Sequence, residues 1–341
     1  MLRTVFMGSD AIALPLLNWL VDEARHTVTL AAVYTQPDRA VGRGQKVQPN
    51  AIKLWAQERG LPVHQPEKLT PEDLARLKTY QPDVALIMAY GHILRQDFIA
   101  APRLGTLNLH TSLLPKYRGA SPIQTAIANG ERETGVTLMR IVPALDAGPI
   151  ADVERVSIAT LDTAVEIEAK LAAACVPLLA RSLPKLATGA LSFTEQNAEQ
   201  ATFCRKLEKA DGTLDFAAPA AQLAARINGL FPWPACSVEI NGQPVKLGQA
   251  DTVGADHCHL LSDKLAGAAS APGTVLGGDT EGVLVATGQG ALRLRRLQRA
   301  GGKMLGAAEF VRGFPINPGS KIASRPMAAL VSESAFPRIR V

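Results

Sequence analysis

Three side chains near the middle of the chain are of the types that acyl transfer to an amine requires. Asn108 and His110 stand two residues apart in the run TLNLH, which begins at Thr106. On a strand, residues at that spacing share one face. Asp146 follows the next strand-like run, Val136–Ile141, in a loop flanked by glycine. Attack of an amine on a carbonyl carbon creates a tetrahedral oxyanion. An amide and a protonated imidazole stabilise that oxyanion by hydrogen bonding, and a carboxylate orients the imidazole and favours its charged form. No Ser or Cys nucleophile is needed if the amine attacks directly. Taken alone, an asparagine and a histidine on one strand are more often structural than catalytic, so the elements that carry them decide the reading.

Those elements alternate. Arg3–Met7 and Val28–Tyr34 are β-branched apolar runs, and Val84–Ala89 is a continuous apolar run of the kind buried on both faces of a parallel sheet. Ser9 or Asp10 is placed to cap a helix running to about Ala24. Helical patterns follow at Ala51–Arg59, from Pro71, and over Thr163–Leu183, the last expected to stop before Pro184. Val63–Gln65 and Val153–Ile158 complete the strands. This order predicts a doubly wound, mostly parallel α/β sheet. Asn108 and His110 then lie near the C-terminal end of their strand, where such sheets place their sites. After about residue 190 the pattern changes to short strands with Gly-containing turns. Ser237–Ile240, Asn241-Gly242 and Pro244–Leu247 read as a hairpin, and further strands follow at Thr274–Leu276, Val283–Ala286 and Ala291–Leu297. A small OB-like β-barrel fits. The expected organisation is a catalytic domain over 1–189, a linker over 190–208 and the C-terminal domain over 209–341. Residues 254–273 read as an insertion.

The chain has 341 residues, of which 47% are hydrophobic and 20% charged. That balance belongs to a soluble protein of about two domains. No apolar run approaches the roughly 20 residues of a membrane helix. The four cysteines form no CxxC pair, so neither a disulfide framework nor a zinc site is expected and a cytoplasmic location fits. His257-Cys258-His259 lacks partners for a metal. The first strand-to-helix turn is Gly8-Ser9-Asp10, with neither a phosphate-binding loop nor a dinucleotide fingerprint. The net charge of +5 is ordinary, but its distribution is not: the last 51 residues hold ten basic and two acidic side chains. Such an excess suggests a polyanionic partner or a solvated surface.

The run LNLHTSLLPKYRGASPI with the later LDAG resembles the signature of the folate-dependent formyltransferases, and the resemblance extends over nearly the whole chain. It implies that Asn108, His110 and Asp146 form a catalytic trio. It associates Ser112, Leu113, Leu114 and Pro115 with tetrahydrofolate, and Tyr90 and Gly91 with the pterin through backbone groups, while His92 lies at the rim. The co-substrate implied is 10-formyltetrahydrofolate, with no metal.

Three features lean toward a tRNA acceptor, and hence toward the family members that formylate methionyl initiator tRNA. The loop TQPDRAVGRGQKVQPN carries Arg39, Arg43 and Lys46, and resembles the basic loop with which those members engage the acceptor stem. The stretch FCRKLEKADGTLDF also resembles theirs, and Arg205, Lys206 and Lys209 could meet phosphates. Arg293, Arg295 and Arg296 lie in one strand, so both of its faces carry charge. Phosphate contacts of this kind position RNA without reading its sequence. A sugar-nucleotide amine is the alternative acceptor, and a non-catalytic RNA-binding protein the alternative class. No membrane partner is implied, and a monomer is expected. Phe231-Pro232-Trp233-Pro234 is expected to pack on the first strand of the C-terminal domain.

Overall fold

Val84–Met88 is buried at every position and forms the middle strand of a seven-stranded sheet. The computed structural model describes residues 1–41, 44–253 and 270–336, in two compact units. The first comprises Met1–Arg118, Thr134–Val156 and Glu168–Ala201; the second comprises Gly119–Glu133, Ser157–Ile167 and Thr202–Val341.

In the first unit the strands are β1 (Leu2–Gly8), β2 (Val28–Tyr34), β3 (Arg39–Val41), β4 (Lys46–Gln48), β5 (Val63–His64), β6 (Val84–Met88) and β7 (Thr106–His110). The two-residue β8 (Arg118–Gly119) follows, then β9 (Glu133–Arg140) and β10 (Ile150–Ser157). The sheet order is β10-β9-β7-β6-β1-β2-β5. Pairing is parallel from β5 to β7, and β9 runs antiparallel to β7. The expected mostly parallel sheet is present, with the reversal on the side of the site.

The helices of this unit are α1 (Leu14–Asp22), α2 (Ala51–Glu58), α3 (Pro71–Thr79), α4 (Gln96–Ile99) and, from Glu168 onward, α6 (Ala164–Ala187); α5 (Pro122–Ala128) belongs to the second unit. Asp10 caps a short 3-10 turn ahead of α1, accepting from the Ile12 N–H at 3.0 Å. Thr70 and Asp73 close a capping box on α3. One helix end differs from expectation, because α6 continues through Pro177 and Pro184 to Ala187. A proline inside a helix costs about 3 kcal/mol. Here Leu171, Cys175, Leu178, Leu179, Leu183 and Leu186 are all buried at helical spacing, and burying a leucine contributes roughly 1.5–3 kcal/mol. The apolar stripe outweighs the breaks.

In the second unit β12 (Cys236–Ile240) and β13 (Gln243–Val253) form the expected hairpin. Asn241 and Gly242 turn it, both in the left-handed region at φ +52° and +71°, as a type I′ turn needs. With β14 (Val275–Gly278), β15 (Val283–Ala286) and β16 (Ala291–Arg299) they make an antiparallel sheet in the order β12-β13-β16-β15-β14. The remaining elements are β11 (Phe203–Cys204), α7 (Ala220–Leu230), β17 (Leu305–Gly306), α8 (Ala307–Gly313) and β18 (Val331–Ser332). Cys236, Val238 and Ile240 alternate into a core shared with Leu223, Ile227, Leu292 and Leu294. The buried Asn228 of α7 exchanges two hydrogen bonds with the Ala250 backbone of β13, at 2.9 and 2.8 Å. Trp233, expected against the first strand, is instead 54% exposed. Most of the expected insertion, including His257-Cys258-His259, lies outside the described residues.

Candidate active site

β7 lies between β6 and β9, so Leu107 and Leu109 are buried on one face while Asn108 and His110 share the other. His110 is almost fully buried and Asn108 half-buried. The His110 Nε2 lies 3.0 Å from the Tyr117 carbonyl oxygen. A carbonyl only accepts, so Nε2 carries a proton, which leaves Nδ1 as the other ring nitrogen. That nitrogen faces Asp146 Oδ2 at 3.8 Å. The separation exceeds a direct hydrogen bond. The Asn108 carboxamide has no hydrogen-bond partner among the described residues, which leaves its N–H groups for a ligand.

Asp146 does not arrive where strand order alone would put it. Because β9 is antiparallel to β7, Thr137 lies beside His110 and Arg140 beside Leu107. The chain therefore leaves β9 about 10 Å from the level of His110 and must double back. Residues 141–149 do this with Asp146 in the left-handed region at φ +48°. A Cβ on Gly148 would fall 1.9 Å from the Arg140 carbonyl oxygen, so only glycine permits this return.

The turn after His110 is held by its own polar groups. The buried Ser112 hydroxyl donates to the Lys116 carbonyl at 2.7 Å. Thr137 Oγ1 donates to the Ser112 carbonyl at 2.6 Å and accepts from the Leu114 N–H at 3.2 Å. Ser112 thus shapes the turn, while Leu113 and Pro115 are half-buried and Leu114 is buried. Thr137 and Tyr117 shape the site but carry no mark in the sequence, because one acts as a cross-strand clasp and the other through a carbonyl.

After β6, the ring of Tyr90 turns into the core and burial pushes its phenol well above the ordinary range. Its carbonyl accepts from Ser9 Oγ at 3.3 Å and Gln36 Nε2 at 3.2 Å. Gly91, at φ +80°, is exposed. His92 is half-buried against the Pro66 carbonyl at 3.1 Å, and burial lowers its pKa.

The expected basic loop is a two-stranded ribbon in which Arg39 opposes Gln48 and Val41 opposes Lys46. Arg39 and Lys46 are exposed. The third cation, Arg43, lies outside the described residues. The root of the ribbon is fixed: Lys53 Nζ bonds both Asp38 oxygens at 2.7 and 2.9 Å and Gln65 adds a third bond at 2.8 Å, with the Lys53 contact foremost in lowering the Asp38 pKa.

In the second unit, Lys206 and Lys209 are exposed. Arg205 is bidentate to the buried Asp211, at 2.9 and 2.5 Å. The β16 arginines separate. Arg293 is buried and meets Asp279 at 3.1 Å and Glu281; Arg295 meets Asp251 at 2.8 Å and Glu281 at 2.9 Å. Arg296, beyond a bulge in the pairing, is exposed. Two of the three expected phosphate contacts are therefore neutralised by neighbouring carboxylates, and one is open. Among the described residues no three His, Cys, Asp or Glu side chains are grouped to hold a metal ion, and no helix is long and apolar enough to cross a membrane.

Comparison with known proteins covers most of the chain. Residues 2–183 match the formyl transferase family and residues 206–315 the formyl transferase C-terminal domain. The methionyl-tRNA formyltransferase of Xanthomonas campestris is 42% identical over 312 residues, covering 91% of this chain and 97% of that protein. That of Paracoccus denitrificans is 40% identical over 316 residues, covering 92% and 98%. Among solved structures, the N-formyltransferase of Helicobacter canadensis, in complex with folinic acid and dTDP-3-aminofucose, superposes with a TM-score of 0.61 at 19% identity. It covers 86% of this chain and 99% of that one, a likeness of fold.

Proposed function

The chain belongs to the formyltransferase family, and from that premise we propose that it moves the formyl group of 10-formyltetrahydrofolate to the α-amino group of methionyl-tRNA, supporting translation initiation. The observation that carries this reading is the pairing of near-full-length similarity to methionyl-tRNA formyltransferases with an unengaged Asn108 amide beside His110 Nδ1 on one strand face.

The chemistry needs no side-chain nucleophile. The amine attacks the formyl carbon. Asn108 Nδ2–H and the Nδ1–H of protonated His110 donate to the oxyanion. Asp146 supports the imidazolium by its charge. Collapse breaks the bond to folate N10; the amine loses one proton and N10 gains one, so the overall transfer is proton-neutral. Leu113, Leu114 and Pro115 give the folate an apolar wall shaped by Ser112, and the Tyr90-Gly91 backbone lies at its pterin end. Arg39 and Lys46 on the ribbon, the sequence neighbour Arg43, and Lys206, Lys209 and Arg296 meet RNA phosphates. Arg293 and Arg295 serve the β-domain instead. The enzyme works as a cytoplasmic monomer; Cys175, Cys204 and Cys236 are buried and in no disulfide among the described residues, in keeping with a reducing compartment.

An acceptor comparison tests this. With 10-formyltetrahydrofolate as donor, methionyl-tRNA should be formylated, and a sugar-nucleotide amine or water should not. Equal turnover of the sugar amine would overturn the assignment of acceptor.

A further inference from the structure

The segment just after α6 grips the loop that delivers Asp146 at three points. Phe193 lies under the Arg140 guanidinium, 4.1 Å from its ring centroid, where the loop begins. Thr194 and Ile150 exchange backbone hydrogen bonds of 2.8 Å each way, where it ends. Between them the Gln196 side chain enters the loop itself. Its Nε2 donates to the carbonyls of Asp146 at 2.8 Å and Gly148 at 2.7 Å. Its Oε1 accepts from Arg118 Nε at 3.1 Å and Nη2 at 2.7 Å. Arginine only donates, so the oxygen of the amide must face Arg118 and the nitrogen must face the two carbonyls. The orientation is thereby fixed chemically. Arg118 is 8% exposed.

The loop needs such a hold. Asp146 sits in the left-handed region, which aspartate adopts more readily than most residues but still at a cost relative to glycine. We propose that Gln196 is a positioning residue for Asp146: it clamps the two carbonyls flanking Ala147, with Arg118 fixing the clamp, so that the carboxylate stays within reach of His110. This rests on the proposed formyl transfer, in which Asp146 supports His110.

The test is steady-state formylation of methionyl-tRNA by wild type, Gln196→Ala and Gln196→Glu, each repeated in an Asp146→Asn background. Glutamate keeps the size and the Arg118 contact but presents an acceptor to two acceptors. Both single variants should lose ten- to a hundredfold in kcat, with KM for donor and tRNA within twofold and a melting temperature still well above the assay temperature. In the Asp146→Asn background neither should cost more than a further twofold, since a residue acting only through Asp146 has nothing left to position. A Gln196→Glu enzyme with wild-type kcat, or a further tenfold loss in the double variant, overturns the proposal. An inactive wild type would instead overturn the proposed function.

Discussion

The face of β7 and the face of β16 both gather polar side chains at strand spacing, yet they are handled in opposite ways. On β7 the Asn108 amide has no partner among the described residues, and His110 Nδ1 stops at 3.8 Å from the Asp146 carboxylate. On β16 three neighbouring acids close on the arginines: Asp279 and Glu281 on Arg293, and Asp251 and Glu281 on Arg295. The first arrangement keeps hydrogen-bonding capacity in reserve for a ligand. The second uses it to join β13, β16 and the turn before β15. A basic stretch of sequence is therefore not yet a basic surface, and an unsatisfied side chain says more about function than a charged one.

The contrast is sharpest at Asn108. Asn108→Ala should lower kcat 10²–10³-fold, about 3–4 kcal/mol for one oxyanion donor, with no change in melting temperature, since the amide supports nothing internal. Loss of stability in place of activity would break the comparison. Arg293→Ala should do the reverse. It takes the arginine from Asp279 and leaves Asp251 and Glu281 with Arg295 alone, and should cost about 1–3 kcal/mol in urea unfolding, while KM for tRNA stays put. Arg296→Ala, one strand bulge away, should leave the melt unchanged and raise KM for tRNA a few-fold, with a salt slope shallower by about one.

The smallest effect separates the units by pH. Burial depresses the pKa of His64 and of His92, both in the first unit. The unfolded chain therefore takes up protons near pH 6.5 while the folded one resists, so this stability is present above that pH and lost as pH falls. Asp211 in the second unit is pushed up by burial, but Arg205 and the Glu208 N–H outweigh this and leave its pKa lowered. Its contribution is kept until pH falls below about 4. Hydrogen exchange at pH 7 and pH 5.5 should show first-unit protection weakening while the core around Asp211 holds. Equal weakening in both units would contradict it.

Much of this was legible from residue order. The continuous apolar β6, the Asn241-Gly242 hairpin and the shared face of Asn108 and His110 follow from period and turn chemistry, which are local. What escaped was set by partners distant in the chain. Strand spacing placed Arg293 and Arg295 on a common face, but not beside Asp251 and Glu281. The antiparallel β9 was invisible because an apolar run has no direction. Gln196 sat in a stretch expected to be linker, and only the doubled-back loop gives it something to hold. The basic loop gave no strand signal, since a two-stranded ribbon with Arg39, Lys46 and an exposed Val47 lacks an apolar alternation.

The strap at Phe193–Gln196 also puts the site on a clock. His110 leaves the ribosome 86 residues ahead of Gln196, a delay of about 4–17 s at roughly 5–20 residues per second. A nascent chain therefore holds Asn108 and His110, the proposed oxyanion donors, for seconds before it holds Gln196, the proposed clamp on the Asp146 loop. Competence is reached late in the chain's own synthesis, after α6 has been made and the strap has closed over the loop.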